Sequence, residues 1–316
     1  MKPIFLILFT LLTAFLPLAQ AKESYLVMEA HSNRVLLAYN SEQKRPVASL
    51  NKITSVKVVL DWVKASQANL TTLIPVPQAA LALGGPNPMG LQPGDQLSIR
   101  DAIYSAMLGS DNIAMFALSQ HVGQQLLIRR QIAGDPQKTF VAEMNTLSKA
   151  LGMRRTKFKS SHGLEVGYWK GHSTAADIAR ICVHVMRDTG FGFYVKQRSR
   201  KISVVSPGGQ RRSFTVQNTN KLLGQLNVNG IKTGMTAEAG QCLAINAHKS
   251  PLVKKLEDGK TQIRGRDLVV VILGSSDRFG RARQLIPQGW NAFDQWGAAG
   301  YPISESRREY LVVPQL

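Results

Sequence analysis

The sequence predicts an α+β domain: one antiparallel sheet built from N- and C-terminal segments, flanked by helices, with a mostly helical inserted subdomain. Strand-like runs lie at both ends of the chain, near Tyr25–Tyr39 and again after about residue 200. Between them, apolar residues recur at helical spacing over several long stretches. Neither an internal repeat nor a low-complexity segment interrupts this order.

The N-terminus comes first. Lys2, the apolar run Ile4 to Leu18 and the small-residue end Ala19-Gln20-Ala21 form the pattern of a secretory signal. Pro17 and the short run argue against a spanning helix, which needs about 20 apolar residues. Residues 1–21 are therefore expected to be removed, 22–300 to form one domain and 301–316 a short tail.

Tyr25 to Tyr39 has apolar runs on either side of Ser32-Asn33 and reads as a β-hairpin. Pro46 precedes a helix beginning near Ser49, with Leu50, Ile53, Val56, Val59, Leu60 and Val63 on one face. Val76 to Gly94, rich in Pro and Gly, reads as a surface loop. Helices are expected at Ile99–Leu108, Asn112–Val122, Pro136–Leu151 and Thr174–Met186. Strands are expected at Ser213–Val216, Val228–Ile231, Cys242–Ala247 and Leu268–Leu273. The amphipathic stretch Phe279–Trp296 should then pack on the sheet.

The formal charge is +19, and +18 once Lys2 leaves with the signal. Such an excess favours anionic partners. Export removes nucleic acid from reach and leaves anionic envelope polymers and membrane surfaces. Cys182 and Cys242 each sit in an apolar run typical of a buried thiol, although an oxidising compartment would permit a bridge. The six histidines are scattered, without HExxH or Cys/His ligand spacing, so neither a metal nor a cofactor is expected.

Three short motifs carry chemistry. In Ser49-Leu50-Asn51-Lys52, residues three apart share a helix face, so hydroxyl and amine can meet. A serine is a poor nucleophile until a base takes its proton, and a lysine can serve if burial or a neighbouring cation lowers its pKa towards neutrality. A second Ser-x-x-Lys, Ser41 to Lys44, lies in a polar stretch and reads as a solvated turn. Ser110-Asp111-Asn112 is, taken alone, either a helix cap or a site loop. Lys232-Thr233-Gly234, after a strand-like run, is either a turn or a site strand. Their joint occurrence, in this order and on these elements, favours the chemical readings.

With its three motifs the chain resembles the D-alanyl-D-alanine carboxypeptidases, the low-molecular-mass penicillin-binding proteins. The resemblance extends through Pro46 to Lys52, Ser161-His162-Gly163-Leu164, Ser173 to Asp177, and Gly230 to Thr236 continued by Ala239 to Leu243. It covers about Tyr25 to Trp296. Asp111 departs from the family's frequent glycine. The resemblance implies a β-lactamase/transpeptidase-like fold and an acyl-enzyme hydrolase acting on peptidoglycan stem peptides, with β-lactams as covalent inhibitors. It implies Ser49 as nucleophile and Lys52 as its base, the latter's pKa held down by Lys232. It further implies Ser110 as proton relay to the departing amine and Asn112 as a partner of Lys52 and the substrate amide. Lys232 and Thr233 would bind the terminal carboxylate. Gly234 and Met235 would line the substrate, with the oxyanion between the Ser49 and Met235 N–H groups.

Arg278, just past the Leu268–Leu273 strand, either assists carboxylate binding or lies at the surface, the surface being favoured, and His162 and His172 are expected in structural roles. A DD-endopeptidase uses the same residues. A serine β-lactamase is disfavoured because no Glu-Pro-x-x-Asn follows Asn112 and Glu143 lies in a helical stretch. A non-catalytic wall-binding module would be expected to lose Ser49, Lys52 or Lys232, and all three are present.

Overall fold

The structure is a computed structural model that describes residues 23–164, 170–303 and 309–316. The predicted signal lies outside the described residues.

The chain opens with β1 (Ser24–Glu29) and β2 (Val35–Tyr39), an antiparallel pair turning through Asn33 at φ +62°. It closes with β7 (Val228–Thr236), β8 (Gly240–Lys255), β9 (Thr261–Ser275) and the helix α7 (Arg278–Ala298). These five strands form one sheet in the order β2-β1-β9-β8-β7, antiparallel throughout. N- and C-terminal segments therefore meet at β1 and β9, as predicted, and β7 is an edge.

Between β2 and β7 come α1 (Asn51–Ser66), α2 (Ile99–Leu108), α3 (Asn112–Arg130), α4 (Pro136–Ala150), α5 (Ala175–Met186) and α6 (Thr189–Val195). This block also contains a second sheet, β3-β4-β5-β6, from Leu73–Pro75, Gln96–Ser98, Ser199–Val205 and Arg211–Gln217. Only the last of these was predicted. β3 and β4 are three residues each and flank the predicted loop, which carries a short 3-10 turn at Gln78–Leu83.

Both faces of the large sheet are covered. On β9, Val269, Val271 and Leu273 face the cluster containing Ile178, Cys182 and Val185 of α5, while Leu268, Val270 and Ile272 face Leu285, Ile286 and Phe293 of α7. This explains why the strand reads as an unbroken apolar run instead of alternating, since neither face meets water. Residues 309–311 lie against the opening hairpin. Leu311 N–H donates to the Asn33 carbonyl at 3.0 Å, and Leu311 and Val313 are buried. Cys182 and Cys242 are buried thiols; Cys242 Sγ donates towards the Ala239 carbonyl at 3.7 Å.

Candidate active site

The nucleophile segment runs through a one-turn 3-10 helix at Ala48–Leu50 directly into α1. Ser49 thus sits at a helix N-terminus, where backbone N–H groups point outward and partial positive charge collects. Ala48, just before it, is left-handed at φ +47°.

Lys52, one helical turn on, is fully buried. Its Nζ lies 2.9 Å from Ser49 Oγ, 2.7 Å from Asn112 Oδ1 and 2.9 Å from the His162 carbonyl. Burial pushes Lys52 down to about 7, opposed by the Asp111 carboxylate. A neutral amine has two N–H groups and one lone pair. With Asn112 and His162 taking the two N–H groups, the lone pair is left for the Ser49 hydroxyl. That is the arrangement a general base needs.

Each partner has a local cause. Asp111 caps α3, accepting from the Ile113 and Ala114 N–H groups at 2.9 and 3.0 Å, and from Ser105 Oγ at 2.8 Å. The capping reading of this motif is therefore correct for Asp111. The same cap fixes Ser110 at φ +61° and starts α3 with Asn112. Asn112 Nδ2 reaches the Gly84 carbonyl at 3.3 Å, so the predicted surface loop lies beside the site. Ser110 is nearly buried but is not among the hydrogen-bond partners of Lys52.

The Asp111 carboxylate stabilises the Lys52 ammonium, so its removal should lower the pKa of Lys52 further. Asp111→Asn is expected to move the acid limb of penicillin acylation to lower pH. A purely structural cap would lower the plateau and leave the midpoint in place.

The 160–164 stretch is strapped to α1 and α3. Asn51 Nδ2 donates to the Ser160 carbonyl at 2.9 Å, Ser55 Oγ to the Ser161 carbonyl at 2.6 Å, and Ser119 and Ser161 hydroxyls meet at 2.9 Å. Gly163, at φ +87°, would bring a Cβ within 2.1 Å of the Ala48 carbonyl oxygen. Gly163→Ala should therefore cost about 1–3 kcal/mol of stability, seen in denaturant unfolding, and slow acylation by displacing Ala48. His162 is buried, its ring pushed down to about 3 by burial and by Lys52, and its Nδ1 accepts from the Leu164 N–H at 3.2 Å. His172 pairs with Lys157 in a short antiparallel bridge. Ser173 to Asp177 starts α5: Thr174 caps it, and Asp177 accepts from Thr156 Oγ1 at 2.8 Å and Arg180 at 2.8 Å.

The third motif lies within edge strand β7, which passes against the nucleophile. A Cβ on Gly234 would stand 3.0 Å from Ser49 N and 3.1 Å from both Ala48 Cβ and the Val47 carbonyl oxygen. The missing side chain at Gly234 is what lets the strand approach. Next to it, Met235 exposes its side chain. Thr233 Oγ1 meets Thr219 Oγ1 at 2.6 Å.

Lys232 is fully buried, and its Nζ has no hydrogen-bond partner among the described residues. Burial first, then the Lys52 and Arg278 charges, hold it well below the usual lysine range. For both lysines burial is the first cause, and the repulsion between the two ammonium groups acts in the same direction.

Arg278 is not at the surface, the favoured of its two readings. It is half-buried at the start of α7, its Nη1 donates to the Gly234 carbonyl at 2.7 Å, and its charge reaches Lys232. Sequence reasoning favoured the surface because nothing local marks it. It comes to the site through the β9–α7 junction, which only the sheet order reveals. The other Ser-x-x-Lys, Ser41 to Lys44, is a turn with Lys44 exposed, and Glu143 on α4 pairs with Arg130 at 2.8 Å.

Comparison with known proteins places this geometry. A family model described as D-alanyl-D-alanine carboxypeptidase matches residues 13–253. The D-alanyl-D-alanine carboxypeptidase DacC of Escherichia coli K12 is 30% identical over 281 residues, covering 86% of this chain and 62% of its own. DacA of the same organism is 30% identical over 254 residues, covering 78% and 58%. A crystal structure of the Streptomyces K15 DD-transpeptidase has a TM-score of 0.67 at 25% identity, covering 88% of this chain and 96% of that one. The chain thus spans less than two thirds of the DacC and DacA lengths. With the family model covering most of its length and the motif residues gathered around one buried lysine, the chain belongs to the D-alanyl-D-alanine carboxypeptidase family.

Proposed function

We propose that the protein is an exported serine-type D-Ala-D-Ala carboxypeptidase that removes the terminal D-alanine from peptidoglycan stem peptides. The observation carrying this reading is the buried Lys52 amine, pushed down to about 7 and 2.9 Å from the Ser49 hydroxyl.

Lys52 takes the Ser49 proton, and Ser49 Oγ attacks the carbonyl carbon between the two terminal D-alanines. The oxyanion lies between the Ser49 and Met235 N–H groups, where each donor is worth about 3 kcal/mol in the transition state. Ser110 relays the proton from Lys52 to the departing amine as the C–N bond breaks. This needs a small movement of Lys52 away from its resting partners. Asn112, its Oδ1 committed to Lys52, turns Nδ2 to the substrate amide. The open edge of β7 pairs with the extended peptide, as in strand addition. Water then cleaves the ester and frees Ser49.

Lys232, Thr233 and Arg278 receive the terminal carboxylate. An anion entering beside Lys232 favours its charged form and so opposes the effect of burial. β-Lactams, which carry a carboxylate beside a reactive carbonyl, would acylate Ser49 by the same route. The basic surface suits a position near anionic envelope surfaces.

Incubation with a purified pentapeptide muropeptide tests the assignment. Release of free D-alanine, lost in Ser49→Ala, is the expected result. Cleavage of cross-linked dimers without free D-alanine would instead make it an endopeptidase.

A further inference from the structure

The strands β8 and β9 outrun the sheet. Beyond His248 on β8 and Asp267 on β9 they continue as a two-stranded arm, paired Leu252 to Arg264, Val253 to Ile263 and Lys255 to Thr261, and residues 250–263 are exposed. Such an arm buries little apolar surface, yet its strands carry large apolar side chains. Val253 and Ile263, direct cross-strand partners on one face, are 63% and 67% exposed.

The arm is also basic. Residues 249–266 hold six basic and two acidic side chains. Lys254 and Lys255 flank the apolar pair, and both acids, Glu257 and Asp258, sit at the tip. The opposite face is held in place. The Arg264 guanidinium lies 3.7 Å from the centre of the Tyr301 ring and 5.6 Å from that of Trp296. The Val253–Ile263 face is thus fixed in orientation and left bare.

We propose that this arm docks the protein on an anionic lipid bilayer. A soluble polyanion would satisfy the lysines and gain nothing from Val253 and Ile263. A second copy of the chain would bring like charge against like charge. A bilayer interface offers both anionic headgroups and apolar depth. The arm lies away from the cleft: Val253 is nine residues along β8 from Ala244, the partner of Lys232, or about 30 Å at strand rise. A docked protein keeps its cleft off the membrane. The inference deepens the envelope-surface reading above by naming the surface.

Sedimentation of the mature protein with vesicles tests it. Phosphatidylethanolamine–phosphatidylglycerol vesicles are expected to bind it and phosphatidylcholine vesicles to fail. Lys254→Ala with Lys255→Ala should weaken binding about 25-fold, at about fivefold per lysine. Val253→Ser with Ile263→Ser, which keeps every charge, should weaken it at least about tenfold. Both variants should retain penicillin acylation, which reports that they fold. Equal binding to both vesicle types would overturn the proposal because charge would then play no part, and unchanged binding by the apolar double variant would overturn it in favour of a soluble polyanion. A dimer that this variant dissociates would overturn it in favour of self-association. Failure of acylation in the unaltered protein would count against the catalytic reading alone, because vesicle binding is read separately.

Discussion

Replacing Lys52 with methionine should slow penicillin acylation by about 10²- to 10⁴-fold, the range a positioned general base contributes. Methionine fills much of the buried space, so the loss is chemical more than structural. Lys52→Arg should be as slow, because a guanidinium stays protonated and offers no lone pair. The pH profile of the unaltered protein carries the same information. Lys52 works as a base only when neutral, and burial brings it to about 7. Acylation should therefore rise as pH increases through about 7 and level off above it. An acid limb lying below pH 5, or one that persists unchanged in Lys52→Met, would assign the base elsewhere. Stopped-flow acylation with a chromogenic penicillin across pH 5–9 measures both effects, with thermal unfolding of each variant as the check on folding.

Replacing Lys232 with alanine should weaken the use of carboxylate-ended substrates by about 2–5 kcal/mol, or roughly 30- to 5,000-fold in kcat/KM, the cost of truncating a buried charge partner. The argument rests on an amine with no resident hydrogen-bond partner among the described residues, placed beside Thr233 and near Arg278. A substrate whose terminal carboxylate is converted to an amide should be poor for the unaltered protein. It should lose little more on Lys232→Ala, because the interaction removed is already missing. Equal losses on the acid and the amide would mean that Lys232 supports the fold or Lys52 rather than the carboxylate. Arg278→Leu should act in the same direction with a smaller effect, since Arg278 is half-buried and screened.

The residues that touch one another locally were the most legible. Ser49 and Lys52 are one helical turn apart, and helix periodicity suffices to bring them together. The places of Asn112 at the start of α3 and of Lys232 within β7 were readable from their motifs, whereas the contact of Asn112 with Lys52 is seen only in the fold. What escaped depends on distant chain. Arg278 reaches Gly234 only because β9 lies two strands from β7 and α7 begins at that end of the sheet. The sequence could not rank the two causes open for a lowered Lys52, burial and a neighbouring cation; the helices and the 160–164 strap enclose the amine, and burial comes first.

The second sheet hid for a different reason. Leu73–Pro75 and Gln96–Ser98 are too short to show a period of two, and Ser199–Val205 begins with Ser, Arg and Lys on its exposed end. The arm beyond His248 lacks the apolar continuity by which the buried halves of β8 and β9 were found. In each case the pattern used to find strands reports burial, and these segments have little.

The most direct test of the account is the intact mass of the mature protein after exposure to penicillin, beside Ser49→Ala and Ser41→Ala. The account predicts one stable covalent adduct on the unaltered protein and on Ser41→Ala, located by peptide mapping to Ser49, and none on Ser49→Ala. An adduct that persists in Ser49→Ala, or a folded protein that neither forms an adduct nor turns over nitrocefin, would contradict it.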